Sequence, residues 1–223
     1  MRQMIGLVAV VAVATVGLHA DISSKARKRI EDAAAVLREI HSVPDKDIPS
    51  QLWNRARCVF VVPSLKKAAF VFGGEYGSGL MSCRRNGGWS APVFMQIGKG
   101  SWGLQIGAQS IDLVLLVMNE RGMQKLLGDK VTLGAEASVA GGPVGRDARA
   151  ATDAQLRAEI LSYSRTQGLF AGIDVSGGVI KPDADDNRDL YGQVSPKDVL
   201  TTAVEPPEAT RPFVEALRSE GAK

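Results

Sequence analysis

Few residues in this 223-residue chain have types and spacing suited to chemistry. Cys58 and Cys83 are the only cysteines. An even pair in an exported protein suggests a disulfide, and two buried free thiols are the alternative. His41 is the only histidine after residue 20. It falls at the predicted end of a helix, without the spacing to serine and carboxylate that would recommend acyl-transfer chemistry. Gly98-Lys99-Gly100-Ser101-Trp102-Gly103 fits G-x-G-x-x-G. That pattern holds a pyrophosphate only where a helix opens after it. Leu104 onward reads as a strand, so a hairpin turn is the better reading.

Asp183, Asp185, Asn187 and Asp189 alternate like the start of a calcium loop. Arg188 stands where that loop needs glycine, and Val194 where it needs glutamate. An acidic surface turn is therefore expected, with an irregular calcium site as the alternative. Two separated cysteines and one histidine make no zinc set. No feature converges carboxylates on a pocket, so no enzyme, metal or cofactor is expected.

Charge distribution is more informative. Residues 53–100 carry seven Lys or Arg against one Glu, whereas residues 171–223 carry six basic against ten acidic side chains. Lys66, Lys67, Arg84 and Arg85 belong to the first group. Such an asymmetry can present a basic face to an anionic partner. Solvated strand edges kept basic against edge pairing would look the same. Lys25, Arg27, Lys28 and Arg29 cluster at the start of a predicted helix, where positive charge opposes the helix dipole. They suit a membrane-surface contact or a solvated face. The formal net charge is only +3, and nucleic acid is not an expected partner.

The elements that position these residues follow from periodicity. Asp21–His41 reads as an amphipathic helix with Ile22, Ala26, Ile30, Ala33, Leu37 and Ile40 on one stripe. Pro49–Ala56 reads as a second, short helix. Arg57–Val62 begins a sheet and Pro63 ends that strand. Ala68–Tyr76, Leu80–Arg85, Trp89–Ile97 and Trp102–Gln109 follow as strands, with turns at Gly77 and Gly79, Asn86-Gly87 and Gly98–Ser101. Leu113–Met118 is apolar throughout, as in a strand buried on both faces. A helix over Glu120–Leu127 follows, capped by Asn119, then a strand over Val131–Val139. Leu156–Arg165 fits strand or helix, and Leu169–Ile180 reads as a glycine-rich strand. Ser195-Pro196-Lys197-Asp198 has capping-box chemistry. The fold class is α+β: a strongly curved or barrel-like, mainly antiparallel sheet with an N-terminal amphipathic helix and short flanking helices.

At 45% hydrophobic and 23% charged residues the chain has globular composition. Residues 1–20 read as an export signal: Arg2 supplies a positive start, Ile5–Leu18 carries no charge, and Ala20 precedes the cut. An uncleaved anchor is the alternative. Export places the mature chain in the periplasm or outside the cell, with peripheral membrane association open. Residues 21–204 form the main domain, and residues 205–223 a linker through Glu205-Pro206-Pro207 and a short helix.

A series of ordered motifs goes further. They are Ala35-Val36-Leu37-Arg38-Glu39-Ile40, Pro44-Asp45-Lys46, Ile48-Pro49 before Ala56-Arg57, and Lys67-Ala68 with Phe70. Gly88-Trp89-Ser90-Ala91-Pro92, Gln105-Ile106-Gly107 and Asp112-Leu113-Val114 follow. Then come Gly142-Pro143-Val144-Gly145-Arg146, Ser164-Arg165, Gly168-Leu169-Phe170-Ala171-Gly172, Asn187-Arg188 and Tyr191-Gly192. Together they resemble the SYLF domain family, also known as a yeast-type actin-binding domain, over about Ala33–Tyr191. The resemblance implies a lipid-binding domain for anionic phospholipids, phosphoinositides in eukaryotic members, acting through an amphipathic N-terminal helix and a basic surface. By position, Asp21–Ile40 is that helix and Lys25, Arg27, Lys28 and Arg29 its basic residues. Lys66, Lys67, Arg84 and Arg85 are sheet candidates on charge alone. An export signal, and the absence of a Src-homology-3 or FYVE module from these 223 residues, depart from the eukaryotic pattern. Anionic envelope lipid is therefore the expected partner, with an envelope protein meeting the basic face as the alternative. Glycines and the Trp89–Pro92 segment read as fold determinants.

Overall fold

The computed structural model describes residues 22–40, 47–69, 72–85, 87–102, 107–145, 155, 157–166 and 169–220. The export-signal reading, His41, Pro44-Asp45-Lys46, Asn86, Arg146, Leu156 and the middle of the alternating Trp102–Gln109 run lie outside the described residues.

Among the described residues ten strands make one strongly curved half-barrel sheet. They are β1 (Cys58–Ala69), β2 (Phe72–Arg85), β3 (Gly88–Trp89), β4 (Val93–Trp102), β5 (Gly107–Val117), β6 (Val131–Thr132), β7 (Val139–Gly141), β8 (Ile160–Thr166), β9 (Leu169–Gly172) and β10 (Val179–Pro182). Their order is β6-β10-β4-β2-β1-β5-β8-β7, with β3 on β2 and β9 on β8. All pairings between these strands are antiparallel except β7 with β8. The helices are α1 (Ser24–Arg38), α2 (Ser50–Arg55), α3 (Glu120–Leu126), α4 (Ala184–Tyr191), α5 (Pro196–Thr201) and α6 (Arg211–Glu220).

The central strands separate two apolar cores because alternate side chains point to opposite faces. Val59, Val61, Leu80, Phe94, Val114 and Leu116 meet α1, α2 and α6 on one face. Phe60, Val62, Met81, Met95, Leu113 and Leu115 meet the other core, which includes Leu126 of α3 and Val199 and Leu200 of α5. Leu113–Val117 is buried on both faces, as its unbroken apolar run requires.

Several sequence boundaries need correction. Pro63 does not end β1: the strand continues to Ala69 across a bulge between Val62 and Leu65. Ser64 takes φ 55° there, and its N–H donates to Asp112 Oδ1 at 2.9 Å. A bulge accommodates a proline that a regular ladder would exclude. Gly77 and Gly79 are not a turn but lie inside β2, facing the bulge. A Cβ on Gly79 would sit 1.8 Å from the Val61 carbonyl oxygen, so these glycines permit close backbone approach. Gly98–Ser101 likewise continues β4, in register with Tyr76, Glu75, Gly74 and Gly73.

The Val131–Val139 strand is split into β6 and the start of β7 by a turn at Gly134, φ 83°. Leu169–Ile180 is likewise split around Gly177, φ 80°. Within Leu156–Arg165, β8 resolves the strand-or-helix alternative from Ile160 onward. The expected acidic surface turn is the start of α4, with Asp183 as its cap. α1 is shorter than its stripe suggests, because Ser23 caps it by accepting from the Ala26 N–H at 3.1 Å.

Candidate functional site

The amphipathic helix is the first place to look for a lipid-binding face, and that face is occupied. Ile22, Ala26, Ile30, Ala33, Leu37 and Ile40 are each at most 4% exposed, in one core with Val61, Phe94 and Leu116 of the sheet. α6 contributes Phe213, Ala216 and Leu217 to the same core. The apolar stripe therefore serves tertiary packing, its ordinary role. For it to enter a bilayer, α1 would have to leave the sheet.

The basic residues of α1 separate into different environments. Arg29 is folded inward, its side chain 10% exposed. It bonds Asp186, lies 3.7 Å from Asp183 Oδ2, and stacks its guanidinium 5.5 Å from the Phe94 ring centroid. It thus ties α1 to α4 and β4. Lys28 is exposed and pairs with Asp32 one turn on, at 2.8 Å; the hydrogen bond to that carboxylate raises its pKa. Lys25 and Arg27 are exposed and have no ion-pair partner among the described residues.

The sheet candidates also divide. Arg84 lies over the Trp89 ring at 4.3 Å and donates to the carbonyls of Ala56 and Trp53 at 3.0 and 3.2 Å. Burial lowers its pKa. Arg85 donates to the Thr202 carbonyl, holding the end of α5 against β2. Lys67 pairs across the strands with Glu75 at 3.0 Å. Lys66 is exposed, opposite Tyr76 on β2 and Ser110 on β5, without an ion-pair partner among the described residues. The eight candidates therefore do not form one patch. Arg29, Arg84 and Arg85 are fastened into the fold, whereas Lys25, Arg27 and Lys66 are available to solvent.

Cys58 and Cys83 stand directly opposite each other on β1 and β2 and are joined by a disulfide. Both are buried, so the bond belongs to the scaffold. Of the alternating residues Asp183, Asp185, Asn187 and Asp189, the buried Asp183 and Asn187 have structural roles, whereas Asp185 and Asp189 are exposed. Asp183 caps α4 and Asp186 holds Arg29. Buried Asn187 accepts from the Phe94 N–H and donates to the Phe94 and Asp183 carbonyls, each at 2.8 Å. Tyr191 Oη donates to the Pro92 carbonyl. Two motifs about a hundred residues apart in sequence, Trp89–Pro92 and Asn187–Tyr191, thus meet at the start of β4. Spacing alone does not identify this junction, because it is a tertiary contact between a strand and a distant helix.

Glu159, another buried acid, also has a structural role. Burial raises its pKa, but hydrogen bonds from Lys125 and the Ser138 N–H more than offset this and leave it lowered. It anchors α3 to the segment before β7. Among the described residues no group of three His, Cys, Asp or Glu side chains is placed to hold a metal ion. No described helix is long and apolar enough to cross a membrane.

The described architecture is a half-barrel α+β domain with packed helices and dispersed exposed cations. Residues 98–220 match the family described as "Ysc84: Las17-binding protein actin regulator". The chain is 35% identical over 216 residues to the SH3 domain-containing protein PJ696.02 of Schizosaccharomyces pombe, covering 92% of this chain and 50% of that protein. It is 32% identical over 213 residues to protein YSC84 of Saccharomyces cerevisiae, covering 91% and 45% respectively. With the SH3 domain-containing YSC84-like protein 1 of Xenopus laevis it shares 33% identity over 183 residues, covering 79% and 53%. The chain belongs to the Ysc84 (SYLF) family. It spans about half the length of these curated relatives.

Proposed function

We propose that this protein is a non-catalytic, peripheral binder of anionic phospholipid, acting as a folded domain through exposed lysine and arginine side chains. The supporting observation is the availability of Lys25, Arg27 and Lys66: all three are exposed and lack an ion-pair partner among the described residues. Each such cation near an anionic membrane surface contributes about 1 kcal/mol, an attraction that salt screens. The sealed α1 stripe favours surface attachment over helix insertion. Export through residues 1–20 would make envelope lipid the relevant surface, and a mature amino terminus at Asp21 would be the corresponding finding.

Vesicle flotation tests the reading. Binding to vesicles containing phosphatidylglycerol should exceed binding to phosphatidylcholine vesicles at low salt and fall as salt is raised. Reversing Lys25, Arg27 and Lys66 together should weaken binding by on the order of a hundredfold. Equal binding to both vesicle types would reject the electrostatic reading.

The family description and the names of relatives favour a second reading, a protein partner. The family is described by Las17 binding and actin regulation, and two relatives are named LAS seventeen-binding protein 3. For this chain the corresponding proposal is an acidic envelope protein that meets the lysines near the end of β1. Lipid-independent capture of one defined partner, lost on reversal of Lys66 and Lys67, would favour it.

A further inference from the structure

A residue with an unfavourable backbone conformation stands two positions from one of the free cations. Ser64 has φ 55°, and it is the sole non-glycine residue with positive φ among the described residues. Side chains with a Cβ disfavour that region, so something must hold Ser64 there. Its place is the bulge of β1. Pro63 and Ser64 together oppose Asp112 of β5, because Val62 stands across from Leu113 and Leu65 across from Ile111.

The extra residue resets the alternation of β1. Val62 points into the core that α3 and α5 share. Unbroken alternation from Val62 would turn Leu65 toward α1 and send Lys66 into that apolar core, where an unpaired ammonium is not sustained. With the bulge, Leu65 joins Val62 in the same core. Lys66 then stands exposed on the α1 face of the sheet, with Tyr76 of β2 and Ser110 of β5 as its cross-strand neighbours. The direction of this lysine therefore depends on the bulge.

Asp112 holds the bulge. Its Oδ1 accepts from the Ser64 N–H at 2.9 Å, and its Oδ2 accepts from Arg165 Nε at 2.8 Å. Arg165 in turn pairs with Glu39, the residue after α1. Both oxygens of the carboxylate are thus engaged, and its charge is matched by a guanidinium. We propose that Asp112 is the positioning residue for Lys66: by holding the Ser64 N–H it keeps the bulge closed and Lys66 outward, available to an anionic partner. This inference rests on the lipid-binding reading above, in which Lys66 is a contact, and adds the group that sets that contact in place.

Charge and position predict opposite signs, which makes the test decisive. Deleting a carboxylate makes the surface more positive and by electrostatics alone tightens binding to an anionic vesicle. Flotation on phosphatidylglycerol vesicles at low salt compares the parent, Lys66→Ala, Asp112→Ala and the double variant. Lys66→Ala should weaken binding about fivefold, the share of one surface cation. Asp112→Ala should weaken it at least about threefold, and should add nothing once Lys66 is gone. Ser64→Gly introduced into Asp112→Ala should restore binding, because glycine takes φ 55° without the carboxylate. Ser64→Val disfavours the same φ with Asp112 in place, so it should weaken binding in the same way, and it carries the test if Asp112→Ala does not fold. Unchanged or tighter binding by Asp112→Ala or Ser64→Val, a loss that persists without Lys66, or no rescue by Ser64→Gly overturns the positioning role and leaves lipid binding intact. A parent chain that does not bind, or that binds equally well as Lys66→Ala, overturns the underlying reading and this inference with it.

Discussion

At the scale of single residues, chemical type says less than surroundings. Arg27 and Arg29 are two positions apart on α1, yet one faces solvent and the other closes an ion pair beneath Phe94. Removing the inward arginine leaves Asp183 and Asp186, both largely buried, without their cation, and an unsatisfied buried charge costs more than a solvated one. Arg29→Met should therefore lower stability by about 2 kcal/mol. Arg27→Met should stay within about 0.5 kcal/mol of the parent. Urea denaturation of the two variants decides the matter, and equal midpoints would mean that Arg29 does not fasten α1. The same contrast explains why a list of basic residues read from the chain overstates the available surface: Arg84 and Arg85 are bonded to backbone carbonyls.

At the scale of elements, the sheet depends on glycines that sequence reading assigns to turns. Gly79 lies opposite the β1 bulge, where a methyl group would meet the Val61 backbone. Gly100, also in a strand, lies on β4 opposite Gly74, where an added methyl group would have nothing within 4 Å. Gly79→Ala should consequently cost about 2 kcal/mol or more, because backbone must move. Gly100→Ala should be nearly neutral. Calorimetric midpoints measure the difference, and matching values would show that the bulge tolerates a side chain. Glycine marks both tight turns and close approaches, so its presence in sequence does not choose between them.

At the scale of the whole molecule, the C-terminal helix is a part of the core. After Glu205-Pro206-Pro207 the chain returns, and α6 buries Phe213, Val214, Ala216 and Leu217. Phe213, Ala216 and Leu217 share a core with α1. Phe213→Ala should therefore cost about 3–5 kcal/mol, a large part of the stability of an ordinary domain. Urea denaturation followed by tryptophan fluorescence measures it, and a loss below about 1 kcal/mol would make α6 an appendage. This packing also bears on function. A membrane mechanism that releases α1 would have to uncover α6 and the sheet together, whereas a contact through exposed side chains leaves both cores closed.

Local pattern determined much of the fold. The 3.6-residue stripe of α1, the caps at Ser195 and Asn119, the double burial of Leu113–Val117 and the α+β class all follow from nearest-neighbour spacing, which is a property of the chain alone. The ordered motifs likewise sufficed to indicate the family. Tertiary structure decided the rest. Whether Pro63 ended a strand or sat in a bulge depended on β2 and β5. Whether Gly79 turned the chain or admitted a neighbour depended on Val61. Which cations remained exposed depended on distant carboxylates and carbonyls, such as Asp186 for Arg29 and Thr202 for Arg85. Burial and pairing arise between residues far apart in sequence, so the availability of a charged side chain becomes defined only when the chain has closed on itself.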